Sequence, residues 1–412
     1  MEKVKNGSFY LLVFISLFLM FRYQAHRENL PYDVVSESLI IGRLMESERS
    51  GIGSHSGLTG MLSDYSDDDD YVRNAYLQFD LLKHPEKRHS YTGFSTYDSQ
   101  PGGQGMLFSA LHTLSAHNLE EDIFLMKNII LFSNCCIFTL FIGWCRRNFS
   151  FLPSLFVLCG VIASSWIWIF SDSLWWCLWA FYVPFLTMLF TLENNTSMGK
   201  LLLYVYLSFV VKCFFNGFEY ISTTLLAMYV PTVFYFVKQQ RSFAKFCVFC
   251  VKTGLAALVG IFTVMAFLIY QIGSLKGSLS AGIHHILFSY QTRTAAVTVS
   301  GKVTELTDNM YLGVLMKYLS GDVFSWFPVK VPFLVPLIII FIAGILLFRK
   351  HKELVLATCF SFLAPVSWYF VFIQHSNIHY HLNYIVWYIP SMLFGFLCVG
   401  VYFNSVVKKR KS

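Results

Sequence analysis

Asp33 and Glu37 stand four residues apart behind Pro31, just ahead of the apolar run Leu39, Ile40, Ile41, Leu44 and Met45. Proline and Asp before such a run read as a helix start. Four residues bring both carboxylates onto one helical face. Like charges so placed repel unless a cation neutralises them. The pair would suit a general base or a divalent metal. The same spacing also fits Asp33 as an N-cap and Glu37 as a first-turn acid, and spacing alone favours this plainer reading.

Three other stretches gather polar residues beside apolar ones. The first is Tyr97-Asp98-Ser99-Gln100-Pro101-Gly102-Gly103-Gln104-Gly105. Its glycines permit a tight turn whose amides could face a phosphate, or a plain turn before an interfacial helix. It lacks the Lys and Ser/Thr of a P-loop. The second is Gly217-Phe218-Glu219-Tyr220, which sets an acid between two apolar runs. Such an acid calls for a partner or a water-filled cavity, and Lys212 is a candidate partner. The third holds His375, His379 and His381. His375 and His379 share a helical face, whereas His379 and His381 would share a strand face. They could bind a metal, or two could donate to a phosphate. Arg293, with Lys276, His284, His285, Lys302 and Lys317, marks a basic stretch suited to an anionic headgroup. The acid run Asp67–Asp70 lacks calcium-loop spacing and reads as a solvated loop.

The elements that would carry these groups are membrane helices. Of 412 residues, 55% are hydrophobic and only 13% charged, against about 25% charged in soluble domains. This excludes an ordinary cytosolic enzyme and a nucleic-acid binder. All ten Cys fall inside apolar runs, Cys247-x-x-Cys250 included, and read as packing residues rather than a disulfide or zinc framework. A bilayer core takes about 20 apolar residues per helix. Ten stretches qualify, beginning near Ser8, Ile123, Phe151, Leu174, Lys200, Tyr220, Phe246, Val331, Leu354 and Tyr384. The first reads as an uncleaved helix, because no small-residue cleavage site follows it.

With the N-terminus inside, Arg146-Arg147, Lys238 with Arg241 and Lys245, Arg349-Lys350 and the basic tail all fall inside. The short connections at Asp172 and Asn216 fall outside and carry no Lys or Arg. The expectation is therefore an all-α polytopic protein. Residues 1–22 form a first span, and 23–122 an outer loop with a surface-lying amphipathic helix and an interfacial segment at Gln104–Leu114. Residues 123–270 hold spans two to seven, 271–330 a second outer loop, 331–407 the last three spans, and 408–412 a basic tail.

This layout resembles polytopic glycosyltransferases of the GT-C type, which use polyprenyl-phosphate-linked sugars. The resemblance rests on the first-loop acids Asp33 and Glu37, the stretch Tyr97–Gly105, Gly217–Tyr220, and His375–His381 followed by Asn383 and Trp387. It implies sugar transfer to a glycan, lipid or protein acceptor at the outer membrane face. Asp33 or Glu37 would be the base; His375, His379 or Arg293 would meet the phosphate. Glu219, Gln100, Asp98, Gln104 and His381 would complete the substrate site. Many members carry adjacent acids in this loop, whereas here three residues separate them, which leaves open which one acts. No cofactor is required, although a divalent metal would fit the acids. The competing expectations are a cell-surface polysaccharide polymerase or ligase, dependent on Arg293 and His379, and a lipid or solute transporter. A metal-dependent oxidase would need more His boxes than the one at His375 and His379. The glycosylation acceptors Asn6, Asn148, Asn194 and Asn195 all fall on the inner side. That suits a bacterial inner membrane with a periplasmic site, with the endoplasmic reticulum as alternative.

Overall fold

The computed structural model describes residues 2–25, 31–63, 71–294, 308–324 and 330–410. The acid run Asp67–Asp70 and Lys302 lie outside them. Helix α1 (Glu2–Ala25) leads into an insert of α2 (Val34–Ser50), β1 (Gly60–Ser63), α3 (Tyr71–Lys83), β2 (Gly93–Thr96) and α4 (Gly103–Leu114). The two strands pair antiparallel, with Gly60 opposite Thr96 and Ser63 opposite Gly93. The bundle continues with α5 (Leu119–Phe149), α6 (Phe151–Ala163), α7 (Ser165–Ile169), α8 (Leu178–Glu193), α9 (Met198–Asn216), α10 (Ile221–Lys238) and α11 (Phe243–Lys276). After α12 (Leu279–Thr294) and α13 (Asp308–Ser320) come α14 (Leu334–Leu347), α15 (Lys352–Ser361), α16 (Leu363–Val371), α17 (Ile373–Ile378), α18 (Tyr380–Asn383) and α19 (Ser391–Lys409).

Among the described residues, seven helical stretches are long and apolar enough to cross a membrane: α1, α5, α9, α10, α11, α15 with α16, and α19. Three shorter apolar helices, α6, α8 and α14, have 13, 16 and 14 residues. At 1.5 Å per residue these fall short of a bilayer core of about 30 Å. The chain is an all-α integral membrane protein apart from its two-stranded ribbon. The ten apolar stretches of the sequence appear as these seven long and three short helices. Two starts differ. Residues Phe170–Cys177 form a connection before α8, so the stretch from Leu174 is not helical at its beginning. The stretch from Tyr384 opens with a 3-10 turn, Tyr384–Tyr388, and its long helix starts at Ser391.

Without a hydrophobic drive between helices in lipid, close packing decides which faces meet. Gly143 of α5 lies against the Tyr10 ring of α1, and Gly160 of α6 against the Phe396 ring of α19. Aromatic side chains fill the centre. The Trp144 indole stacks on Phe141 and donates to the Tyr235 hydroxyl at 2.9 Å.

Helix α2 corrects the expectation of a surface-lying amphipathic helix. Every residue from Glu37 to Ser47 is buried, enclosed by α3, β1 and α4. Arg43, 0% exposed, explains part of this. Its guanidinium donates to the carbonyls of Gly51 at 2.9 Å, Ile52 at 3.1 Å and Ser54 at 2.7 Å. The buried charge is satisfied by the loop it folds around itself.

Candidate functional site

Asp33 caps α2: its Oδ1 accepts from the Ser36 amide at 3.1 Å. Its Oδ2 accepts from the Trp176 indole at 2.9 Å. The residue remains partly exposed. Each carboxylate oxygen therefore keeps lone-pair capacity for another donor. One turn on, Glu37 faces the same connection before α8, as the spacing requires. Its carboxylate accepts from Ser173 Oγ and the Leu174 amide, both at 3.0 Å, and pairs with Lys127 Nζ at 3.2 Å. Glu37 is 1% exposed. The pair thus divides into an open acid and an enclosed one. Glu37, one of the two candidate bases, ties α2, α5 and the 173–176 turn together. Glu37→Ala leaves Lys127 and three donors, Ser173 Oγ and the Leu174 and Trp175 amides, without their acceptor. It should cost about 3 kcal/mol of stability, read as a lower thermal unfolding midpoint of the purified protein; an unchanged midpoint would reject this role.

Glu219 sits in the tight turn between α9 and α10. Gly217 takes φ +53°, ψ −140°, a region open to glycine, and Tyr220 is left-handed at φ +51°. Lys212 is the candidate partner that the sequence offers for the Glu219 carboxylate. Instead its Nζ donates to the backbone carbonyls of Gly217 at 2.8 Å and Glu219 at 2.6 Å. It holds the strained turn rather than the acid. The Glu219 carboxylate pairs with Arg293 Nη1 at 3.0 Å and His375 Nε2 at 3.3 Å. Burial alone would raise its pKa, but Arg293 and His375 overcome burial and hold it well below the usual carboxylate range. Arg293 also bonds to Tyr97. Burial works against its charge, yet Glu219 and Tyr97 keep it firmly protonated.

Tyr97 senses both the Arg293–Glu219 pair and Asp33, and burial holds its hydroxyl protonated. A second path runs through rings: Trp176, which donates to Asp33, stacks on Tyr220 with centroids 5.7 Å apart. The Tyr220 hydroxyl then donates to Asn383 Oδ1 at 2.9 Å. Asp33, Tyr97, Trp176, Glu219 with Tyr220, Arg293, and His375 with Asn383 thus belong to one cluster, assembled from six separate parts of the chain.

The three histidines divide. The His375 and His379 rings lie 4.6 Å apart, and both residues are half-buried. Burial, with His375 beside it, pushes His379 down to about 4, so near neutrality it is uncharged and donates through one ring nitrogen. His381 is exposed, with its ring 6.3 Å from that of His379. Among the described residues, no three or more His, Cys, Asp or Glu side chains converge as a metal-binding group.

Of the two readings open for the glycine-rich stretch, the contacts of Gly103 are those of a packed turn before a helix. Gly103 opens α4 against Phe214: a Cβ there would stand 2.3 Å from its ring and 2.5 Å from its carbonyl oxygen. Gln104 is 0% exposed and donates to the Trp175 carbonyl at 3.3 Å. Gln100 is 3% exposed and packs on Gly217. Both pack the stretch against the two turns of the site, while Gln100 Nε2 and Gln104 Oε1 are buried without a hydrogen-bond partner. Asp98 pairs with Lys276 at 3.0 Å, between the end of β2 and the end of α11. Gly103→Ala should destabilise the protein by about 1–3 kcal/mol, since backbone as well as ring must shift; a midpoint equal to wild type would contradict this packing.

Sequence reasoning missed Tyr97 and Trp176 as site residues and Lys127 as the partner of Glu37. Aromatic residues this numerous carry no signal by type alone. Lys127 sits amid an apolar run, and its isolation there is the one hint that it needs a carboxylate. No protein-family model, no curated protein and no solved structure matches the chain.

Proposed function

We propose that this protein is a membrane glycosyltransferase that takes a sugar from a polyprenyl-phosphate donor at the face carrying Asp33 and Arg293. The observation that carries the reading is one open carboxylate joined, through the Trp176, Tyr220 and Trp368 side chains, to the ring of His375, which with Arg293 holds Glu219. Transfer of a sugar from a lipid phosphate needs these two halves. A base takes the proton of the acceptor hydroxyl while its oxygen attacks the anomeric carbon. The bond from that carbon to the phosphate oxygen breaks, and the phosphate leaves with the electron pair. Asp33 is the base; Arg293 and the His375 and His379 ring nitrogens receive the developing phosphate charge. Attack opposite the leaving group inverts the anomeric centre. Glu219 is a positioning residue, because it aims Arg293 and His375 rather than touching sugar.

In this reading all ten apolar helices belong to the membrane part. The positive-inside pattern turns Asp33 outward, to the periplasm of a bacterial inner membrane. The acceptor is a glycan, lipid or protein hydroxyl. The chemistry requires no cofactor; transfer in the presence of EDTA, and again with added Mg²⁺, decides whether a divalent metal joins the phosphate.

The test is transfer from radiolabelled polyprenyl-phosphate sugars by purified protein, with Asp33→Asn, Arg293→Gln and His379→Ala beside wild type. Donor consumption by wild type, lost in Asp33→Asn, supports the reading. A polysaccharide ligase would instead lose activity in Arg293→Gln and His379→Ala and keep it in Asp33→Asn. No donor consumed by wild type from any sugar would remove both in favour of a transporter.

A further inference from the structure

Helix α10 begins beside Glu219 and ends at Lys238, 18 residues or about 27 Å away. At that far end, α10, the start of α11 and α15 enclose a groove of about 1090 Å³. Its walls are apolar, with Phe236, Phe246, Leu356 and Phe360 among them. Its rim holds three cations, Lys238, Arg241 and Lys352, against one acid, Glu353. Among the described residues none of the three cations pairs with a carboxylate. Lys238 Nζ meets the Asn148 side-chain oxygen at 3.1 Å and the Phe234 ring at 5.3 Å. Arg241 lies 5.0 Å over the Phe236 ring, and Glu353 is engaged by His351 at 3.7 Å. Lys352 also opens α15, a helix of ten residues whose first turn has no side-chain cap.

A largely apolar groove whose lining also holds three cations against one acid complements one kind of molecule in a bilayer: an acyl chain bearing an anionic phosphate. We propose that this groove binds an anionic phospholipid of the leaflet opposite the candidate site. The acyl chain lies along Phe236, Phe246 and Phe360, and the headgroup phosphate meets Arg241, Lys352 and Lys238. The site is independent of the glycosyltransferase reading: it shares no residue with the catalytic cluster and stands whether or not sugar is transferred.

Native mass spectrometry of the purified full chain tests it, with phosphatidylglycerol and phosphatidylcholine of identical chains added in competition. Wild type should retain one phosphatidylglycerol in preference. A basic residue near a lipid surface contributes about 1 kcal/mol, so Arg241→Gln with Lys352→Gln should weaken the preference by at least about tenfold. Both residues are exposed, so the fold should tolerate the change. Leu356→Trp fills the groove without altering charge and should also release the lipid. Lys408→Gln with Lys409→Gln removes two charges beyond the groove and should leave retention as in wild type. Equal retention of both lipids by wild type, or equal losses in the tail and groove variants, would overturn the site.

Discussion

Asp33→Asn should cut sugar transfer by roughly 10²–10⁴-fold, the range for loss of a general base, in a protein that still folds. The amide is chosen because it separates the two roles of Asp33. Asn is as good an N-cap as Asp, so the bond from the Ser36 amide at 3.1 Å survives. It gives up the bond from the Trp176 indole, because the amide nitrogen that stands in for Oδ2 donates and cannot accept. What it cannot do is take a proton from an acceptor hydroxyl. Alanine would confuse the two, since removing the cap alone costs about 1 kcal/mol. The measurement is the initial rate of transfer at saturating donor, with the unfolding midpoint beside it. A large loss of rate at an unchanged midpoint assigns the base. A rate near wild type would reduce Asp33 to a cap and move the ligase reading ahead.

Glu219→Ala should destabilise the protein by about 3–5 kcal/mol, as expected when one partner of a buried pair is removed. Arg293 has a side chain only 16% exposed, and Glu219 is the sole carboxylate paired with it among the described residues. Without that acid the guanidinium keeps its charge in a poorly solvated place. The double variant Glu219→Ala, Arg293→Met should recover much of the loss, because it removes the stranded charge as well. The pH dependence has a definite sign. The folded carboxyl titrates well below its unfolded value of about 4.3. Its stabilisation is therefore complete above that unfolded value and disappears as pH falls toward the folded one. The gap between wild type and Glu219→Ala should be full at neutral pH and shrink only in strong acid. Equal midpoints at pH 7 would mean that the Arg293 pair adds nothing. Transfer should fall in both Glu219 variants, since Arg293 and His375 lose the group that aims them.

The membrane character of this chain is legible in its sequence because a bilayer imposes a simple rule. Every span must be long, helical and apolar, and each stretch so identified became an apolar helix. The helix after Pro31 and its capping Asp33 were equally legible, since capping depends on neighbours within four residues. The cost of an acid at a membrane boundary calls for a partner or a water-filled cavity at Glu219, yet the candidate partner nearest in sequence is not the one that holds its carboxylate. Lys212 is near in sequence, whereas Arg293 arrives from α12, 74 residues on.

The glycines near Gly103 show the same limit from the other side. Their type permits either a phosphate nest or close packing, and only the position of Phe214 decides between them. Asp33 and Glu37 are two identical functional groups on one helical face. The enclosure of one by Lys127 and the 173–176 turn, and the exposure of the other, depend on contacts 90 to 143 residues away. The sequence by itself determined the apolar helices, the capped start of α2 and the residue types able to do chemistry, because hydropathy and capping act over a single turn or span. Tertiary structure alone decided which acid stays open, which cation Glu219 holds and which polar residues are merely packing, because burial and charge pairing are properties of neighbours that the chain brings together only on folding.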